Sequence, residues 1–253
     1  GDWKKSDNLS YPQYAPLKKL MAPADTTVVG LEAPNVFMAW RTDAAASAQQ
    51  DTLSVISYLL SNGKAGLFDL DLNNPMKVMG ASAQLSSNHD YGMFYLYGLP
   101  KEGQDTKEVR RLMLGQIEKL KKGQFSDDLL PSAVNNMKLK YYQSLRKNDE
   151  RADRFVNAFI NDKKWDDEVH SLDRIAKMTK SQIVDFANRF FTDLIMDIQL
   201  NNPHHAIPRK YWAWIGGGAA ALLLLGWLAF GGLADTQSVE RRGLSISEVQ
   251  RKQ

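Results

Sequence analysis

An uncharged run of 23 residues, 211–233, constrains this chain more than any other part of its sequence. As an α-helix the run would be about 35 Å long, against a bilayer hydrocarbon core of roughly 30 Å. Trp212, Trp214, Trp227 and Phe230 lie toward its ends, where aromatic rings favour the membrane interface. A buried core helix is the alternative, but such helices seldom run this long without a polar position. The sequence therefore predicts a single C-terminal transmembrane helix with lipid as its partner.

The residues on either side of the run indicate how the chain is organised. We expect a main domain at 1–200, a linker at 201–210 broken by two prolines, the transmembrane helix at 211–233 and a polar tail at 234–253. Two basic residues lie just before the run, and four lie within 20 residues after it. This asymmetry favours a cytoplasmic tail and a membrane-associated main domain on the extracytoplasmic, periplasmic side.

Composition excludes several classes of function. The chain has no cysteine, which removes disulfides, thiolate zinc sites, iron–sulfur centres and cysteine nucleophiles. Its net charge of +3 and the absence of a Lys/Arg block give no support for nucleic acid as a partner. With 43% hydrophobic and 24% charged residues, the composition is that of an ordinary globular protein.

Hydrophobic patterning predicts both strands and helices in the main domain. Strands are expected at 25–31, 35–41, 77–85, 91–99 and 194–200. The third and fourth of these should form a hairpin around "SSNHD". Between and after them, apolar residues recur at helical spacing. This order predicts an α+β fold, a mostly antiparallel sheet with helices packed on one face.

The helix boundaries are predicted from local signals. A first helix should carry Leu53 to Leu60 and stop at Asn62-Gly63, and a second should occupy 105–122 and end at Gly123. Ser126 is expected to cap an interrupted helical region that contains Pro131 and reaches about Phe159. The pattern "TKSQ", 179–182, predicts a capping box for a last helix ending near Phe191.

Several segments together resemble one protein family. "GDWKK", "NVFMAWRT", "LLSNGKAGLFDLDLN", "GLPKEGQ", "QIEKLKKGQF", "VNNMKLK" and "KMTKSQIVDFANRFF" follow the order and spacing of insulinase/pitrilysin-type zinc metallopeptidases (inverzincins). The resemblance covers about 1–193. It is to the non-zinc-binding second domain of the first half, in long bacterial members of Bacteroidetes type.

The resemblance implies a role for the chain within a larger enzyme. In that family four homologous α+β domains form a clamshell around a peptide, and only the first carries the zinc motif H-x-x-E-H. It therefore implies three things outside the chain: a peptide substrate, a zinc-bearing homologous domain acting in cis or in trans, and zinc as the cofactor of the full-length enzyme.

No catalytic or metal-binding residue is predicted within this chain. Neither H-x-x-E-H nor H-E-x-x-H occurs. His89 falls in a predicted turn, His170 follows Glu168 at a spacing that separates the side chains on a helix, and His204 and His205 belong to the predicted linker. We expect no cofactor in this chain, and its substrate-binding residues cannot be assigned from sequence. The acidic segments "DLDLN" and "KNDERAD" are interpreted as helix ends and solvated faces.

Two functional hypotheses follow. In the first, the chain is the structural and substrate-enclosing domain of a zinc metalloendopeptidase whose zinc motif lies outside it. In the second, it is a non-catalytic, membrane-anchored peptide-binding or scaffolding module on the same fold. On either hypothesis we expect the chain alone to be inactive.

Overall fold

The computed structural model describes residues 4, 21–192 and 195–201 of the chain. Its sheet contains five strands: β1 Ala24–Val29, β2 Asn35–Asp43, β3 Gly80–Ser86, β4 Tyr91–Leu99 and β5 Met196–Asn201. The α-helices of the described part are α1 Gln49–Leu60, α2 Thr106–Lys121, α3 Leu129–Ser144, α4 Asn148–Ile160, α5 Trp165–Val169, α6 Ser171–Ala176 and α7 Lys180–Phe190. A short π-helical turn, Asp69–Asn73, lies between α1 and β3.

The strands form one mixed sheet in the order β1-β5-β2-β4-β3. Three of the four pairings are antiparallel, and only β1 and β5 run parallel. The last strand, β5, therefore lies between β1 and β2 and joins β1 to the rest of the sheet. The predicted α+β class is confirmed, as are the hairpin of β3 with β4 and the use of "LIMDIQL" as the last strand.

Buried side chains alternate with more exposed ones along the strands, and the buried ones lie on the face that carries the core. Val36, Met38 and Trp40, which alternate along β2, are buried, and Leu96 and Phe94 of β4 pair with Met38 and Trp40. These side chains belong to one hydrophobic cluster with residues of α1, α2, α3 and α7. The described helices thus cover one face of the sheet.

Close packing of α2 on β4 depends on a glycine in the strand. A Cβ atom at Gly98 would lie 2.7 Å from Met113 Cε and 2.8 Å from Val109 Cγ1, both on α2. Because such separations are well inside van der Waals contact, a larger residue would force the side chains of Met113 and Val109 to shift.

Two of the predicted helix ends are confirmed in detail. Asp105 caps α2 by accepting a hydrogen bond from the Lys107 N–H, and Gly123 after the helix has φ +65°, a value that favours glycine. The capping box is present at α7. The Thr179 side chain accepts from the Gln182 N–H, and the Gln182 side chain accepts from the Thr179 N–H.

The predicted cap at Ser126 is wrong. Helix α3 begins at Leu129 with Asp128 at its N-cap position, and no side chain caps it. Ser126 Oγ instead accepts the Asp128 N–H at 3.3 Å, which stabilises the turn before the helix. Pro131 lies in the first helical turn, where its missing N–H has no partner to lose, so the helix passes through it without interruption.

Residues 202–253 lie outside the described residues. They hold the transmembrane prediction and its interface residues Trp212, Trp214, Trp227 and Phe230, together with the tail. Within the part of the chain that the structure describes, no helix combines the length and apolar character needed to cross a bilayer.

Candidate functional site

The face of the sheet opposite the described helices carries the candidate binding surface. We call this surface the open sheet face. It is defined by side chains that the strand register places together: Phe37, Ser82, Gln84, Met93, Tyr95, Tyr97, Met196 and Ile198. Met93 and Met196 are 39% and 42% exposed, and the others are half-buried or exposed. This mixture of aromatic, aliphatic and amide groups is typical of a surface that binds another chain.

The aromatic residues at the centre of the open sheet face hold one another in place. Phe37 and Tyr95 stack with ring centroids 5.1 Å apart and planes at 28°. The Tyr95 hydroxyl donates a 2.6 Å hydrogen bond to Gln84 Oε1 on the neighbouring strand. Tyr97 is paired with Phe37 on one side and Ser82 on the other. The centre of the face is therefore a preorganised aromatic platform.

One edge of the sheet is also available. Within the described residues β1 pairs only with β5, so its outer edge presents unpaired backbone groups. Val28 and Val29 on this strand are 41% and 68% exposed. An extended peptide can add to such an edge through main-chain hydrogen bonds, with side chains taken up by the adjoining face.

The covered face contains a buried ion pair that the sequence pattern did not reveal. Asp197 of β5 is 1% exposed and accepts a hydrogen bond from Arg110 Nε of α2. Burial raises the pKa of Asp197, and the Arg110 guanidinium opposes that shift without cancelling it. Next to the pair, Thr106 Oγ1 donates to Gln199 Oε1 at 3.0 Å. This polar cluster joins the start of α2 to the last strand. Arg110 bonds only one oxygen of the Asp197 carboxylate, and the buried Oδ1 has no hydrogen-bond partner among the described residues.

The interpretation of "DLDLN" as a solvated helix end is wrong for Asp69. This side chain is buried, and its Oδ2 accepts hydrogen bonds from the backbone N–H groups of Asn62, Gly63 and Gly66 at 2.9, 2.9 and 3.1 Å. Asn73 donates to Oδ1 at 3.2 Å. Asp69 therefore orders the loop after α1, and its carboxylate is not available to a ligand.

A cleft of about 370 Å³ lies between α1, α3 and α4. Two of its charged groups pair within the fold: Arg154 bonds Glu168 at 3.1 Å and Ser144 at 2.9 Å, and Lys163 bonds Glu168 at 2.6 Å. The Arg154 guanidinium also lies 4.3 Å from the Tyr141 ring centroid. These contacts stabilise the helical layer and leave no convergent donor set for a ligand.

The described residues do not fit a zinc ion. They contain no group of three or more His, Asp or Glu side chains placed to hold a metal. His89 lies in an exposed turn with Nδ1 2.7 Å from Asp90, and His170 lies between α5 and α6 beside Asp166 and Asp173. The two remaining histidines, and the four predicted membrane-interface residues, lie outside the described part.

The fold closely resembles that of several bacterial proteases. Against a protease from Helicobacter pylori the TM-score is 0.75, with 18% identity, 79% of this chain covered and 49% of that chain. Against the first half of the periplasmic protease PqqL from Escherichia coli the TM-score is 0.64, with 10% identity and coverages of 78% and 46%. A peptidase M16 inactive domain from Pseudomonas fluorescens also gives 0.64, at 10% identity, with coverages of 76% and 47%. This chain spans about half the length of each of these structures.

The architecture is therefore that of the M16-type proteases. The sequence match is more specific: the family of the peptidase M16 inactive domain matches residues 1–137, more than half of the chain. The chain belongs to this family. Among curated protein sequences none matches it. The resemblance to insulinase/pitrilysin-type peptidases is thus confirmed at the level of the inactive domain.

Proposed function

We propose that this chain is the substrate-enclosing domain of a zinc metalloendopeptidase, and that it acts with a homologous zinc-bearing domain supplied in cis or in trans. Zinc and the general base belong to that zinc-bearing domain. This chain contributes binding surface for the peptide and excludes water from it.

The open sheet face is the observation that carries the proposal. The family that the chain matches is that of the inactive domain, and such a domain can contribute to cleavage by holding the peptide. The preorganised Phe37–Tyr95 platform offers apolar contacts, and the β1 edge offers main-chain hydrogen bonds. Both are needed to hold an extended peptide of varied sequence.

We further propose that residues 211–233 anchor the domain in a membrane and that the domain lies on the extracytoplasmic side. The support is the length and uncharged character of that run and the larger number of basic residues after it. An anchored domain would confine peptide cleavage to substrates near the bilayer.

Reconstitution tests the enzymatic role. The full chain, added to a zinc-bearing domain of the same family, should raise cleavage of a quenched fluorescent peptide. Tyr97→Ala and Ile198→Ala should each raise KM about tenfold with little change in kcat, because the loss of one apolar contact of about 1.4 kcal/mol weakens binding by that factor.

Arg111→Ala provides the matched control, because Arg111 is exposed on α2 in the helical layer. It should leave KM unchanged. If the full chain gives no gain in activity at saturating concentration, the enzymatic role is wrong and the membrane-anchored peptide-binding or scaffolding module is favoured. In that case Tyr97→Ala should still weaken the direct binding of an uncleaved peptide about tenfold.

A further inference from the structure

Helix α4 is amphipathic, and its apolar side faces outward. Phe155, Val156, Phe159 and Ile160 follow one another at spacings of one, three and one residues, which places them on a single side of the helix. Their exposed fractions are 57%, 52%, 87% and 58%. A surface helix of a globular protein normally has the opposite arrangement, with its polar side in water.

The turn after α4 extends this surface onto α5. Asp162 has φ +50°, the Lys163 N–H donates to Ala158 O at 2.8 Å, and the Asp162 N–H donates to Phe159 O at 3.2 Å. These two bonds form a Schellman motif, which fixes the direction of the chain after the helix. As a result Trp165 stacks on Phe155 with ring centroids 4.2 Å apart and planes at 24°.

We call the combined surface the α4 stripe. It consists of six exposed apolar residues: Phe155, Val156, Phe159, Ile160, Trp165 and Val169. The other side of the helix already packs against the domain, since Ala158 is 7% exposed and Arg154 pairs with Glu168. The residues of the α4 stripe are therefore not the ones that hold α4 against the rest of the domain.

We propose that the α4 stripe lies in the interface of the same bilayer that holds residues 211–233. This inference rests on the anchor described under the proposed function. Nine residues, 202–210, separate the last described residue of β5 from the apolar run, and fully extended they reach about 30 Å. An anchor joined to the domain by so short a tether raises the effective concentration of lipid at the surface of the domain.

The composition of the stripe suits a lipid surface, and the short tether to the apolar run favours lipid over a soluble protein partner as its occupant. Two phenylalanines and a tryptophan beside aliphatic residues are typical of helices that lie in the headgroup region. Between Arg146 and Glu168 there are six Lys or Arg residues and seven Asp or Glu residues, so the surroundings of the stripe are nearly neutral. Attraction to the bilayer is therefore apolar and independent of anionic lipid.

The absence of cysteine allows a direct test in the full chain. Phe159→Cys and the matched control Asn157→Cys would each be labelled with an environment-sensitive fluorophore and reconstituted in phosphatidylcholine vesicles that contain nitroxide-labelled lipid. Both side chains are exposed, and they project roughly 160° apart around the helix. We expect the label at 159 to lose most of its emission to quenching and the label at 157 to lose little. The difference should persist in 1 M salt, because charge attraction is not involved.

A third label at Leu224→Cys, within the apolar run, separates the two hypotheses. If Leu224 is quenched and Phe159 is not, the anchor stands and the inference about the stripe is wrong. If Leu224 is not quenched, the anchor is wrong and the inference fails with it. Disulfide cross-links between copies through Phe159→Cys, without lipid quenching, would also overturn the inference and assign the stripe to a second copy of the chain.

Discussion

The two faces of the sheet are made from the same strands, yet they differ in almost every property. On the covered face Val36, Met38, Phe94 and Leu96 are all fully buried. One residue further along each strand, the side chains lie on the open sheet face, where Phe37, Tyr95 and Tyr97 are only half-buried. Phe37 stacks on Tyr95, and the Tyr95 hydroxyl donates a hydrogen bond to Gln84. A period of two residues therefore separates the side chains that stabilise the fold from those available for binding.

The difference shows how a non-catalytic domain can retain a binding surface. Because the covered face supplies the hydrophobic core, the open sheet face need not be apolar for the fold to be stable. Its aromatic and amide side chains are therefore free to make contacts with another chain. Mutations on the covered face should accordingly lower the stability of the fold, whereas mutations on the open sheet face should mainly weaken binding.

The largest expected effect comes from a matched pair of substitutions across the two faces. Phe94→Ala should lower the free energy of unfolding by about 4 kcal/mol, because it leaves a cavity in a fully buried position. Phe37→Ala should lower it by about 1 kcal/mol, since a half-buried stacked ring loses little on truncation. Urea unfolding followed by circular dichroism measures both.

Equal losses of stability would contradict this comparison. They would mean that the open sheet face is covered in solution and belongs to the core. In that event neither Phe37 nor its neighbours would be accessible to a peptide.

A second prediction concerns the loop that joins the covering helices to the edge strand β3. Asp69→Ala should lower the free energy of unfolding by about 3 kcal/mol, because three backbone N–H groups lose a shared carboxylate acceptor. Asp71→Ala, two residues away, removes only a half-exposed ion pair with Lys119 and should cost less than about 1 kcal/mol. Thermal unfolding of the two variants would distinguish them, and similar values would show that the Asp69 loop adds nothing to the stability of the fold.

Much of the fold could be predicted because it depends on local signals. Strand alternation in β2, the apolar spacing of α2 and the capping box at Thr179 each lie within a short window of sequence, and each is confirmed. The start of α3 was missed because Ser126 and Asp128 both suit the turn before a helix, and the choice between them depends on the surrounding backbone.

The candidate site could not be assigned in the same way. Which face of a strand is covered depends on helices far away in sequence, so Tyr97 and Ile198 carried no local sign of exposure. The same holds for Asp197, whose partner Arg110 lies far away in the sequence. Asp69 is different: its partners are only three to seven residues away, but its burial depends on how the loop after α1 folds around the carboxylate. The exposure of the apolar side of α4 could not be predicted either. Apolar residues at helical spacing normally indicate a buried side, and the sequence pattern is the same whether or not that side is covered.

The smallest expected effect tests Asp197, a buried acidic residue on the covered face. Burial raises the pKa of Asp197 above its ordinary value of 3.8, despite the Arg110 guanidinium. The ionised carboxylate is therefore less favourable in the folded state than in the unfolded state, and its contribution to stability declines as pH rises from 3.8 through the raised pKa. Asp197→Asn has no such ionisation. Urea unfolding between pH 3.5 and 7 should accordingly show the wild type losing stability relative to this variant as the pH increases. An increase in the relative stability of the wild type over the same range would mean that the attraction of Arg110 outweighs burial, and the ion pair would then strengthen the covered face instead of weakening it.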